Sequence, residues 1–76
     1  MRALLEIVIK GLVDEPSQVS IEEVEEEGGS TFRVTVSERD LGKVIGRDGR
    51  IVNAIRQIAS SVAARENRWV NVDVVS

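Results

Sequence analysis

Between two helix-forming stretches lies a four-residue connection, Gly46-Arg47-Asp48-Gly49, with glycine at each end and nothing apolar inside. Glycine takes positive φ at no steric cost and lets another backbone come close, so a bend between the two helices is favoured here. Upstream, Ser37-Glu38-Arg39-Asp40 matches a Ser-x-x-Asp helix start, whose side chains offer acceptors to the first free amides. It predicts a short helix from Glu38 to Ile45, stopped by Gly46. Downstream, a longer helix is expected from Arg50 to about Arg65. Its core stripe is read as Ile51, Ile55, Ile58 and Val62, at spacings of four, three and four. Val52, Ala59 and Ala63 form a second, smaller apolar strip.

The rest of the chain supplies one more helix and three strands. From Arg2 to about Val13 only Arg2, Glu6 and Lys10 are charged, and their i, i+4, i+8 spacing suits ion pairing along one stripe. Pro16 holds Glu15 extended and ends that helix. Gln18 to Glu26 reads as a strand with Val19 and Ile21 inward; Val24 breaks the parity, so a bulge or an early strand end is expected. Glu27-Gly28-Gly29-Ser30 is a turn signal, after which Phe32, Val34 and Val36 alternate with Thr31, Arg33 and Thr35. The two strands form an antiparallel hairpin. The last strand, Trp69 to Val75, puts Val70, Val72 and Val74 inward and Trp69, Asn71 and Asp73 outward. The fold class is α+β in the order α-β-β-α-α-β, and the 76 residues suffice for a single domain, 1–76.

Composition narrows the chemistry. Without His or Cys the chain lacks the usual general base, thiolate nucleophile and commonest metal ligands, so no catalytic set can be assembled and no cofactor or metal is expected. The apolar run Ala3 to Val13 is interrupted by Glu6 and Lys10 and falls short of the roughly 20 residues of a spanning helix. No membrane insertion is expected, and a cytoplasmic location is the default. The formal net charge of −3 is unevenly spread: residues 1–27 carry two basic and eight acidic side chains, a net of −6, whereas residues 28–76 carry eight and five, a net of +3. Phosphate binding answers to local potential, so an acidic chain can still present a basic surface. The acidic run from Glu22 to Glu27 reads as a solvated strand end and turn.

The bend itself has the makings of an anion site. The amides of Arg47 to Arg50 lie at the start of the long helix, where free N–H groups and the positive dipole end favour negative charge. Arg47 and Arg50 add full charges, and Lys43 lies one turn before the loop. A bare Gly-x-x-Gly is a weak signal; its apolar flanks and helical frame are what make it informative. Val44-Ile45-Gly46-Arg47-Asp48-Gly49-Arg50-Ile51 resembles the Val-Ile-Gly-x-x-Gly-x-x-Ile signature of KH domains, with Ile51 one place early and Ile55 completing the helix face. The element order resembles the type II KH arrangement, a three-stranded mixed sheet with helices packed on one face. The chain length, the apolar first helix, Leu12-Val13-Asp14-x-Pro16 and Asp40-Leu41-Gly42-Lys43-Val44-Ile45-Gly46 together resemble the small bacterial KhpA family.

That resemblance implies a clamp on the backbone of about four nucleotides of single-stranded RNA, with the bases in an apolar groove. Gly46, Arg47, Asp48 and Gly49 would form the clamp, and Lys43 and Arg50 would hold phosphates. Leu41, Val44 and Ile45 would help to floor the groove, though Val44 and Ile45 fit a plain core role equally well. Asp48 departs from the pattern, placing a carboxylate where relatives often have a neutral or basic residue. The resemblance further implies an RNA chaperone or post-transcriptional regulator acting with a KhpB (Jag-type) partner in cell-envelope and cell-length control. The alternative is a protein-interaction module that keeps the fold with little RNA affinity. Surplus apolar surface, on the second strip of the long helix or the second face of the first, points to a homodimer.

Overall fold

The chain's strands and helices follow the expected order closely, and the departures concern which faces are buried. The computed structural model describes residues 1–76. Helix α1 (Arg2–Leu12) leads, through a 3₁₀ turn at Pro16–Gln18, into strands β1 (Ser20–Glu26) and β2 (Gly29–Thr35). A second 3₁₀ turn (Glu38–Asp40) opens helix α2 (Leu41–Ile45), a third (Arg47–Gly49) joins it to helix α3 (Arg50–Ala64), and strand β3 (Trp69–Val75) closes the fold. The sheet order is β1-β2-β3, with β1 antiparallel and β3 parallel to the central β2. No helix is long and apolar enough to cross a membrane.

β2 is central because its alternation is the cleanest in the chain. Phe32, Val34 and Val36 are all but inaccessible and meet Leu5 and Ile9 of α1, Val44 of α2, Ile55 and Ala59 of α3, and Val72 of β3 in one core. The hairpin turns at Glu27-Gly28, with Gly28 at a φ of 78°. Its register runs unbroken from Ser20 opposite Thr35 to Glu26 opposite Gly29, so the bulge expected at Val24 is absent. Val24 lies opposite Thr31 on the outer face of the sheet, half exposed. Seven consecutive backbone pairings outweigh the misplacement of one valine. The strand also starts two residues late, because Pro16–Gln18 wind a 3₁₀ turn first.

Outside the sheet, Trp69 lies across Gly29, its cross-strand partner: a Cβ there would fall 2.1 Å from Trp69 Cδ2. The indole Nε1 donates to the Glu27 carbonyl at 3.3 Å. The tryptophan thus shields the hairpin end. On α1 the expected Arg2–Glu6–Lys10 ion pairs do not form. Arg2 instead donates to the Ile21 carbonyl, tying the helix to the edge strand.

The largest correction concerns α3. The stripe that faces the core is Val52, Ile55, Ala59 and Ala63, at spacings of three, four and four, while Ile58 and Val62 are exposed and Ile51 is half-buried. Small residues win because the helix must lie close against the sheet; Ala59 is completely inaccessible. Larger side chains would hold the two layers apart. Ala59→Leu is therefore expected to cost about 1–3 kcal/mol by overpacking, whereas Ser60→Ala next to it should stay within about 0.5 kcal/mol, both read from urea unfolding.

Candidate nucleic-acid interface

Three positive φ values in four residues carry the chain from α2 into α3: Gly46 at 77°, Asp48 at 56° and Gly49 at 74°. The two glycines are needed for different reasons. A Cβ on Gly46 would stand 2.6 Å from Ile51 Cγ1 and 2.9 Å from the Ile51 nitrogen, so no side chain fits. At Gly49 the nearest atom is 3.5 Å away, and the requirement is conformational alone. Asp48 takes the left-handed conformation that aspartate tolerates better than most residues. Its presence has a backbone reason, although its carboxylate opposes an anion.

Fewer amides are open than the sequence suggested. The Gly49 N–H donates to the Gly46 carbonyl at 3.2 Å, and the Arg50 N–H to the Arg47 carbonyl. No side chain accepts from the Arg47 or Asp48 N–H, and neither amide donates to backbone outside the helices and strands. Nothing covers the bend. Arg47, Asp48 and Arg50 are exposed, and neither arginine takes part in an ion pair. The result is an exposed turn that carries two unpaired guanidinium groups.

The remaining expected site residues divide. Leu41 and Ile45 are half-buried beside the loop and keep accessible apolar surface. Val44 has none. It is fully inaccessible within the main core, so it cannot touch a base, and the plain core alternative is the correct one. Lys43 points away from the bend, as helical side chains lean toward the N-terminus of their helix. Its ammonium pairs with the Asp14 carboxylate and lies 3.5 Å from Asp40 Oδ1.

Asp40 also departs from expectation. It makes no capping bond to α2; its two carboxylate oxygens accept the backbone N–H groups of Asp14, at 3.1 Å, and Glu15, at 3.0 Å. The helix-start pattern Ser37-x-x-Asp40 is half realised, since Ser37 Oγ accepts the Arg39 N–H at 3.4 Å. Missed entirely was Arg56, whose Nε donates to the Val72 carbonyl at 2.9 Å and whose Nη1 donates to Asn53 Oδ1 at 3.3 Å. It reaches from α3 to the free edge of the sheet. The spacing Arg50, Asn53, Arg56, one face of a helix, was the available signal.

Burial alone would raise the Asp40 pKa, but the two backbone donors and Lys43 together hold it below the ordinary 3.8. The Asp14 carboxylate, and then Asp40, raise Lys43 above its ordinary 10.5. A lowered carboxyl pKa stabilises the fold in full above the unfolded value, and that contribution is lost as pH falls through the native value. Acid unfolding of the chain followed by circular dichroism should therefore steepen below about pH 4, and Asp40→Asn should flatten that limb while lowering stability at neutral pH.

Comparison with known proteins agrees with this geometry. The family described as "KhpA/KhpB, KH domain" matches residues 2–74. The "RNA-binding protein KhpA" of Clostridium perfringens is 43% identical over 75 residues, covering 99% of this chain and all of the relative. The protein of the same name from Chlamydia trachomatis is 37% identical over 75 residues, covering 99% and 96%, and that of Borreliella burgdorferi is 39% identical over 72, covering 95% and 88%. No solved structure matches the chain. With a Gly-x-x-Gly bend between two helices, a mixed three-stranded sheet and relatives matched along nearly their whole length, the chain belongs to the KhpA/KhpB family of KH domains.

Proposed function

We propose that this chain binds single-stranded RNA without catalysis, clamping the sugar–phosphate backbone at Gly46-Arg47-Asp48-Gly49 with Arg50 beside it. One observation carries the reading: the bend is exposed at Arg47 and Asp48, with the unpaired guanidinium groups of Arg47 and Arg50 upon it. Oriented N–H groups at a helix start select anionic oxygens, and the flanking cations supply the sequence-independent attraction. Relatives matched along their length carry the name of an RNA-binding protein, which supports the same partner. Leu41 and Ile45 offer the apolar flank on which bases rest. With Phe32 buried and Trp69 committed to Gly29, no aromatic platform contributes, so affinity comes chiefly from the backbone clamp.

The wider role follows as part of the proposal: a cytoplasmic RNA chaperone or post-transcriptional regulator, acting with a KhpB (Jag-type) partner in envelope and cell-length control. Binding is expected to be micromolar or weaker and to fall steeply with salt. Arg47→Asp reverses the charge at the clamp and should weaken binding to single-stranded RNA by about tenfold or more, with a shallower salt dependence. Retained affinity in fluorescence anisotropy would move the site elsewhere.

A protein-interaction role is favoured by a separate observation. Ile7 is 74% exposed and Ile58 51%, and an apolar groove lined by Leu4, Val8 and Ile58 runs between α1 and α3. The dimer anticipated from surplus apolar surface would therefore use this groove, since Val52, Ala59 and Ala63 are spent on the core. Two copies would double the RNA contacts and compensate a weak individual clamp. Ile58→Glu should give a monomer by light scattering with unchanged circular dichroism; a natural chain that is already monomeric at high concentration would remove the dimer.

A further inference from the structure

We propose that Asp14, Lys43 and Asp40 form a latch that sets the placement of the Gly46–Gly49 bend, and that Lys43 is a positioning residue of the RNA site, not one of its phosphate ligands. The inference rests on the RNA-binding reading above and deepens it.

Two runs of sequence stood out separately, Leu12-Val13-Asp14-x-Pro16 and Asp40-Leu41-Gly42-Lys43. The fold brings them together. Asp40 is the most buried charged side chain in the molecule, 1% exposed, yet it sits at the entrance to α2 without bonding any amide of that helix. Its carboxylate is spent on the backbone N–H groups of Asp14 and Glu15, 25 or more residues earlier in the chain. Lys43 closes the cluster by bridging the Asp14 and Asp40 carboxylates. Three separate contacts therefore tie the entrance of α2 to the α1–β1 connection.

This matters because α2 has only five residues and cannot hold its own position. Val44 fixes one face of it in the core, and the latch fixes the end opposite the bend. Between them the helix is rigidly continuous with the loop: the Gly46 N–H closes onto the Gly42 carbonyl at 2.9 Å. Any rotation or slide of α2 is thus passed to Gly46, and from there to the backbone of Arg47 and Asp48. The Lys43 ammonium is held at the latch end of α2, facing two carboxylates, and could reach a phosphate at the bend only by leaving both.

The test uses the full chain and a labelled, mixed-sequence single-stranded RNA oligonucleotide, with affinity followed over a salt series. Asp14→Asn removes the exposed arm of the latch; that side chain is 78% exposed, so the variant should fold. Lys43→Met removes the bridge, and Lys43→Arg preserves its charge. If Lys43 positions the bend, Asp14→Asn and Lys43→Met each weaken binding by about two- to tenfold at every salt concentration. The slope of log affinity against log salt stays that of the natural chain, and Lys43→Arg recovers the affinity. In the RNA-free protein, the Arg47 and Asp48 amide resonances shift in Asp14→Asn.

Two results would overturn the proposal. If Lys43→Met shallows the salt slope by about 0.7, one phosphate contact has been lost and Lys43 is a ligand. If Asp14→Asn tightens binding, Asp14 was restraining a phosphate-seeking lysine. The amide resonances separate the two levels of inference. Unmoved loop resonances in a folded Asp14→Asn refute the latch even when RNA binds, and a natural chain indifferent to both RNA and Arg47→Asp refutes the RNA reading even when the resonances shift.

Discussion

Parallel pairing of β2 with β3 is the constraint from which the rest of the structure follows. Parallel neighbours cannot be joined by a tight turn; the chain must travel back along the sheet before the second strand begins. Here that return is made by α2 and α3, packed on the apolar face of the sheet. The break at Gly46–Gly49 divides that return into two helices and forms the exposed bend. Close passage of α3 over the strands is secured by Ala59 and Ala63. The small residues of the helix and the glycines of the bend serve the same crossover.

Charge is partitioned along the same architecture. Strand β1, the sheet edge away from β3, carries Glu22, Glu23, Glu25 and Glu26, and the hairpin turn adds Glu27. These carboxylates blunt an edge strand against unwanted pairing. They also concentrate negative charge along that edge, whereas Arg47 and Arg50 place unpaired positive charge at the bend. A polyanion meeting this protein is steered by that difference and not by the net charge of −3. Asp48 is the exception at the bend. The left-handed backbone there favours a short polar side chain, and aspartate supplies the shape while adding an opposing charge.

Much of this was legible from local pattern. Phe32, Val34 and Val36 alternate so strictly that only a buried strand satisfies them, and Pro16, Gly28, Gly46 and Gly49 each punctuate the chain where backbone chemistry requires it. The bend and the arginines upon it were legible because turn chemistry and charge are local properties. Patterns shared by two helix faces were not. Ile51-Ile55-Ile58-Val62 and Val52-Ile55-Ala59-Ala63 are both sound helical stripes, and hydrophobicity prefers the first. The sheet chose the second, burying Val52 and Ile55 with Ala59 and Ala63 and leaving Ile58 and Val62 exposed.

Sequence alone therefore settled the order of the elements and the place of the bend, because turns, strand alternation and helix ends are decided by residues within a few positions of one another. Tertiary structure decided which face of α3 is core, that Val44 is inaccessible, that Arg56 reaches Val72, and that Asp40 and Lys43 are committed to Asp14 and Glu15. Those outcomes depend on the separation of packed layers and on which distant amides come within reach of a buried carboxylate. Both quantities come into existence only when segments far apart in the chain are brought together.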